Sequence, residues 1–372
     1  MLRMKIFTYI FRGAALFSAA AVFGLGSIYV SGQTDTTGRD RQVSPEAAAT
    51  PPATPSPTPP KLEEPDDVLT IDTELVNLNV RVVDRNNRPI NSLQAKDFKI
   101  FEDGVQQQVE FFSRSEVPTN YSIVLDNSGS LRHQLEKVIE AGKILVNTNK
   151  PGDQTSLIRF VSRDKITVEQ PFTSNKADLI DSLDNLFIEG GQTAIIDAVY
   201  LAAQSVNDHE RKRPQDERTR RAIVLVSDGE DRDSYYNEAQ LFQMLRETDV
   251  QIYAIGFVNE LTKEGGFIGK SPQGKAKAFL ERLATETGGK AYFPNDVNEL
   301  AGLASDIASE LRMQYSIGYI PTNEKKDGTY RNIKVSVDDG PNKQKRIAIT
   351  RSGRTAERDL APKPQAAAPK TR

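Results

Sequence analysis

Apolar and polar positions alternate where the folded part of the chain begins. Val76, Leu78, Val80 and Val82 take turns with Asn77, Asn79 and Arg81, which gives an extended segment one apolar face. Asp84 to Pro89 supplies a turn, and Phe98 to Phe101 and Val109 to Phe112 read as two more strands around Glu102-Asp-Gly104. Near the other end, Tyr315 to Ile320, Tyr330 to Val337 and Arg346 to Thr350 carry matching strand patterns. A few strands of this length are marginal alone, so the two flanks are expected to meet in one small β-sandwich.

Between Asn120 and Gln314 the pattern alternates between two periods. Short apolar runs (Tyr121 to Leu125, Thr155 to Val161, Ala222 to Val226, Val250 to Phe257, Ala291 to Phe293) read as strands, with Ile166 to Val168 a short one at the sheet's edge. Helical spacing covers Leu131 to Val146, Ala177 to Phe187, Ala194 to Val206, Ala239 to Thr248, Ala276 to Thr287 and Val297 to Met313. Strand and helix in alternation predict an α/β fold, a Rossmann-like doubly wound sheet, mostly parallel, with helices on both faces. In such folds ligands sit at the carboxyl ends of strands, where strand order reverses.

The strand ends hold the candidate chemistry. Asp126-Asn-Ser128-Gly-Ser130 follows the first strand and offers one carboxylate and two hydroxyls at alternate positions, with Gly129 permitting the turn. Ser227-Asp228-Gly follows the fourth strand and brings a second carboxylate to the same edge, while Gly190-Gly-Gln-Thr193 opens a helix with a further hydroxyl. Two carboxylates with neutral hydroxyls suit Mg²⁺ or Mn²⁺, which take oxygen ligands and usually retain water. If Asp126 binds directly and Asp228 only through water, the ion keeps most of its positive charge, so an incoming carboxylate can replace a water. Glu230, Asp231 and Asp233 read as solvated loop acids rather than ligands, and His133 as a surface or packing histidine. Asp197 is either an acceptor that supports the ligands from behind or a surface acid. Arg211 to Arg221 reads as a solvated loop.

Asp126-x-Ser128-x-Ser130, then Thr193, then Asp228-Gly229 resembles the metal-ion-dependent adhesion site of von Willebrand factor A (VWA) domains, in order and with similar spacing. The resemblance spans about Asn120 to Gln314 and implies a metal site on the top face, with Asp228 commonly bridged through water. The flanks, in Leu75 to Val80, Asp97-Phe98, Glu102-Asp-Gly104 and Gln314 to Pro321, resemble exported VWA-related proteins of acidobacteria. The expected organisation is therefore an N-terminal β segment over 68–117, a VWA domain over 118–314 and a C-terminal β segment over 315–353.

Outside these lie three simpler segments. Residues 1–32 place Arg3, Lys5 and Arg12 before an apolar run from Gly13 to Val30, the layout of a secretory signal. Cleavage before Gln33 is the favoured expectation, and an uncleaved signal-anchor the alternative. Residues 33–67 form a Pro/Thr-rich linker that lacks the apolar side chains to pack, and 354–372 reads as a disordered tail. The protein is thus expected to be exported: periplasmic, at the cell surface or secreted.

Composition removes other classes. Among 372 residues there is no cysteine and there are two histidines, which excludes disulfides, thiol nucleophiles and Cys- or His-rich metal sites. A net charge of −3 and no basic cluster with interleaved aromatics argue against nucleic acid. Gly265 to Ser271 resembles a phosphate loop but is one residue short and does not join a strand to a helix. No catalytic triad can be assembled, so no enzyme activity is expected. The expected function is metal-dependent binding of a protein partner that presents Asp or Glu. The alternatives are a structural envelope component with a stabilising ion, and a metal-dependent hydrolase on Asp126 and Asp228.

Overall fold

The computed structural model describes residues 75–213, 219–261 and 271–358. The signal-like segment, the linker, nearly all of the Gly265–Ser271 loop and residues 359–372 lie outside the described residues. No helix among the described residues is long and apolar enough to cross a membrane.

The N-terminal flank contributes β1 (Val76–Val83), β2 (Phe98–Glu102), β3 (Val105–Gln107) and β4 (Phe111–Ser113). The central part runs β5 (Thr119–Asp126), α1 (Leu135–Asn147), β6 (Gln154–Phe160), β7 (Ile166–Thr173), α2 (Lys176–Asp184), α3 (Ile195–Arg211), β8 (Arg220–Ser227), α4 (Glu238–Glu247), β9 (Gln251–Gly256), α5 (Pro272–Thr287), β10 (Lys290–Tyr292) and α6 (Leu300–Arg312). The C-terminal flank adds β11 (Tyr315–Tyr319), β12 (Tyr330–Val337), β13 (Ile347–Ile349) and β14 (Gly353–Thr355).

Six central strands form one sheet in the order β10-β9-β8-β5-β6-β7, parallel except for the edge strand β7. β5 and β8 are buried almost throughout because helices cover both faces. Leu145 of α1, Leu179 and Leu183 of α2 and Ile307 of α6 pack on one face. Val199 of α3, Phe242 of α4 and Leu280 of α5 pack on the other. Strand order reverses between β5 and β8, so the carboxyl ends of these neighbours flank the switch point.

The flanks do meet. β1 pairs antiparallel with β11 and β2 with β12, giving four-stranded sheets β13-β1-β11-β4 and β14-β12-β2-β3 around Leu78, Val80, Ile100, Ile317 and Tyr319. β4 starts two residues later than the alternation indicates, and β3 and β14 escape it altogether because Val105-Gln-Gln107 and Gly353-Arg-Thr355 carry no apolar alternation. β14 carries paired structure past residue 353, and a bridge joins Asp327 to Arg358.

At its two ends the basic run before β8 departs from the solvated-loop expectation, while residues 214–218 between them lie outside the described residues. α3 continues through Arg211, and Arg220 is 1% exposed. Its guanidinium donates to the carbonyls of Leu311 and Arg312 at 3.1 Å and of Gln314 at 2.9 Å, closing the C-terminal end of α6. Burial lowers its pKa to about 10, and the group keeps its charge at neutral pH.

Candidate functional site

β5 delivers Asp126 to the switch point, where it is 3% exposed. One carboxylate oxygen accepts the Ser128 backbone N–H at 2.9 Å, which tightens the turn. The other accepts the Ser227 hydroxyl at 2.8 Å, tying the end of β5 to the end of β8. Ser128 is buried and Ser130 exposed, with their hydroxyl oxygens 2.8 Å apart. A short 3₁₀ turn over Gly129–Leu131 follows, and a Cβ at Gly129 would meet open space, so glycine is not required there.

Asp228 is 5% exposed, and its Oδ1 accepts the Glu230 N–H at 3.0 Å. Gly229 has φ +81°, and a Cβ there would lie 2.9 Å from Leu280 Cδ1 and 3.1 Å from Ala276 Cβ. Gly229→Ala is therefore expected to cost about 2 kcal/mol and to displace Asp228, weakening Mg²⁺ uptake in calorimetry.

Thr193 stands 5% exposed just before α3, and two strand ends hold its segment. Ala194 N–H donates to the Val161 carbonyl at 3.1 Å and Glu189 N–H to the Asn127 carbonyl at 2.9 Å. Arg159 pins the approach by pairing with Glu189 at 2.9 Å and lying over the Phe187 ring. The Thr193 carbonyl accepts N–H groups from Arg232 at 2.8 Å and Asp233 at 3.1 Å.

Of the neighbouring acids Asp231 is exposed, as expected of a solvated loop, while Glu230 and Asp233 are half-buried, and all three have partners within the protein. Asp231 accepts from the Ile196 N–H and the Ser234 hydroxyl, Asp233 pairs with Arg163 at 2.8 Å, and Glu230 pairs with Arg232. Asp197, 8% exposed, accepts the N–H groups of Tyr235 at 2.7 Å and Tyr236 at 2.9 Å. Sequence pattern left Asp197 undecided because the partners are main-chain groups nearly forty residues away. His133 lies at the exposed surface.

Burial first, and the nearby Asp228 carboxylate second, push Asp126 up to about 6. Among the described residues neither Asp126 nor Asp228 has a lysine or arginine partner, and no group of three or more His, Cys, Asp or Glu side chains could hold a metal ion. Two buried acids beside small hydroxyls, without a side-chain cation, fit a hard divalent ion bound by oxygen.

A doubly wound sheet with two buried acids and small hydroxyls at the strand ends is the arrangement that the resemblance to a VWA domain implied. The family model for the von Willebrand factor type A domain matches residues 122–306, and this part of the chain belongs to that family. An uncharacterised protein of Synechocystis sp. is 35% identical over 115 residues, 31% of this chain and 26% of that protein. The chain thus aligns with about a quarter of that relative's length. Solved structures similar to it include an aerotolerance-related membrane protein from Bacteroides fragilis, at 22% identity, covering 52% of this chain and 98% of that one with TM-score 0.40. A mussel byssus proximal thread matrix protein, whose structure is described as having a zinc-occupied adhesion-site motif, is 18% identical over 53% of this chain and 48% of its own, with TM-score 0.41. A type A protein from Catenulispora acidiphila is 13% identical and covers 70% and 75%, with TM-score 0.43.

Proposed function

We propose that this chain is an exported protein-binding module. Its VWA domain holds Mg²⁺ or Mn²⁺ through Asp126, Ser128, Ser130, Thr193 and Asp228 and through that ion grips an Asp or Glu side chain of a partner protein. The observation that carries the reading is the pair of buried acids at the ends of β5 and β8, next to hydroxyls and, among the described residues, with no lysine or arginine paired to them. Bound there, the cation supplies a positive centre that two acids do not fully saturate, which is what a carboxylate ligand requires. Ser227 fixes the Asp126 carboxylate, the Glu230 N–H fixes that of Asp228, and exposed Ser130 marks the side open to a partner. The basic-then-apolar start of the chain supports export. Binding rather than turnover is favoured because the acids of the adjoining loop are engaged in helix capping and ion pairs, leaving none placed as a general base.

Affinity capture with the full chain as bait, read by mass spectrometry, tests this. Specific partners are expected in Mg²⁺, lost in EDTA and lost with Asp126→Ala. Partners that persist in EDTA would defeat the reading, and an ion that raises only the melting temperature would make the site structural.

A further inference from the structure

Thr193 and Asp228 come from different elements, thirty-five positions apart, yet the loop after β8 is fastened along the start of α3. Asp231 Oδ1 accepts the Ile196 N–H at 3.2 Å, and the Asp197 N–H donates to Ser234 Oγ at 3.1 Å. Ser234 Oγ donates in turn to Asp231. The Asp197 carboxylate closes the seam by taking the N–H groups of Tyr235 and Tyr236, one on each oxygen. With the two N–H groups that reach the Thr193 carbonyl, the loop cannot shift without breaking bonds to the segment that carries Thr193.

We infer that Asp197 is a positioning residue for the metal site: by clamping the loop over residues 231–236 to α3 it fixes Thr193 and Asp228 as one preassembled half. The other half is the Asp126-x-Ser128-x-Ser130 turn, joined to it through Ser227. Asp197 lies one turn along α3 from Thr193, and both its oxygens are spent on backbone N–H groups, so it acts through the loop and not as a ligand. The chemistry requires a carboxylate. An asparagine can accept one N–H through its oxygen, but its NH₂ would face the second donor without an acceptor between them. The inference rests on the ion-binding reading above.

The test is Mg²⁺ titration calorimetry on the full chain, with thermal melting alongside. Asp197→Asn is expected to weaken Mg²⁺ binding by about tenfold or more, the scale of outer-shell changes at metal sites. Asp153→Asn is the control. Asp153 likewise takes two backbone N–H groups (Thr119 and Lys150) and also pairs with Arg312, but at the amino ends of the strands. It should lower the melting temperature and leave Mg²⁺ affinity unchanged. Ser234→Ala is the milder variant should Asp197→Asn not fold; it keeps the carboxylate, removes two links of the seam and should weaken binding several-fold. Wild type and Asp197→Asn binding Mg²⁺ equally, Ser234→Ala binding as tightly as wild type, or Asp153→Asn weakening it as much as Asp197→Asn, would overturn the inference while leaving the ion site standing. A wild type that takes up no Mg²⁺ overturns both.

Discussion

In saturating Mg²⁺ the protein is expected to melt about 5–10 °C higher than in EDTA, and Asp126→Asn is expected to erase that gain. An ion present at a hundred times its dissociation constant stabilises the folded state by about 2.7 kcal/mol. For domains of this size each kcal/mol moves the midpoint by about 2–4 °C. The asparagine keeps the side chain's shape, and its oxygen can still accept the Ser128 N–H. It removes the buried charge that Asp228 opposes, so in EDTA the variant should melt no lower than wild type. Stability that does not fall without metal, together with a lost response to metal, separates a ligand from a packing residue. An Asp126→Asn protein that still gained several degrees with Mg²⁺ would place the ion elsewhere.

Arg220→Met should be the most destabilising single change outside the site. Methionine fills part of the volume but donates nothing, which leaves the carbonyls of Leu311, Arg312 and Gln314 without their guanidinium partner at a buried helix end. The expected loss is about 3–5 kcal/mol, or a fall of roughly 10 °C in differential scanning calorimetry. Arg220 begins β8 and the site lies at its far end, so the gain from Mg²⁺ should survive the substitution. A drop of only a degree or two would show that water serves those carbonyls as well as Arg220 does.

The two residues differ in how much the chain revealed of them. Asp126, Thr193 and Asp228 were legible because each directly follows an apolar run or opens a helical one, and strand order then places them at one edge. The six-stranded sheet and its helices are legible for the same reason, since β5 and β8 carry the apolar runs Ile123–Leu125 and Ala222–Val226. Arg220 was not legible, because a run rich in arginine looks solvated whichever member turns inward. The partners of the loop acids are hidden in the same way: nothing local to Asp231 or Asp233 announces a helix start or an arginine contributed by another element. Ser227 stands in the sequence only as the residue before Asp228, though its hydroxyl joins the two strand ends. A serine there is ordinary in composition, and only the pairing of β5 with β8 gives it a partner.

Entry to and exit from the VWA domain lie side by side. The Arg220 N–H donates to the Pro118 carbonyl just before β5, its guanidinium reaches the Gln314 carbonyl just after α6, and β4 pairs directly with β11. Tension applied between residues 75 and 358 would therefore be borne by the antiparallel ladders of β1 with β13 and β11 and of β12 with β14. The inserted domain would hang off the load path like a hook on a taut strap, and the geometry at its strand ends would be spared while the strap is pulled.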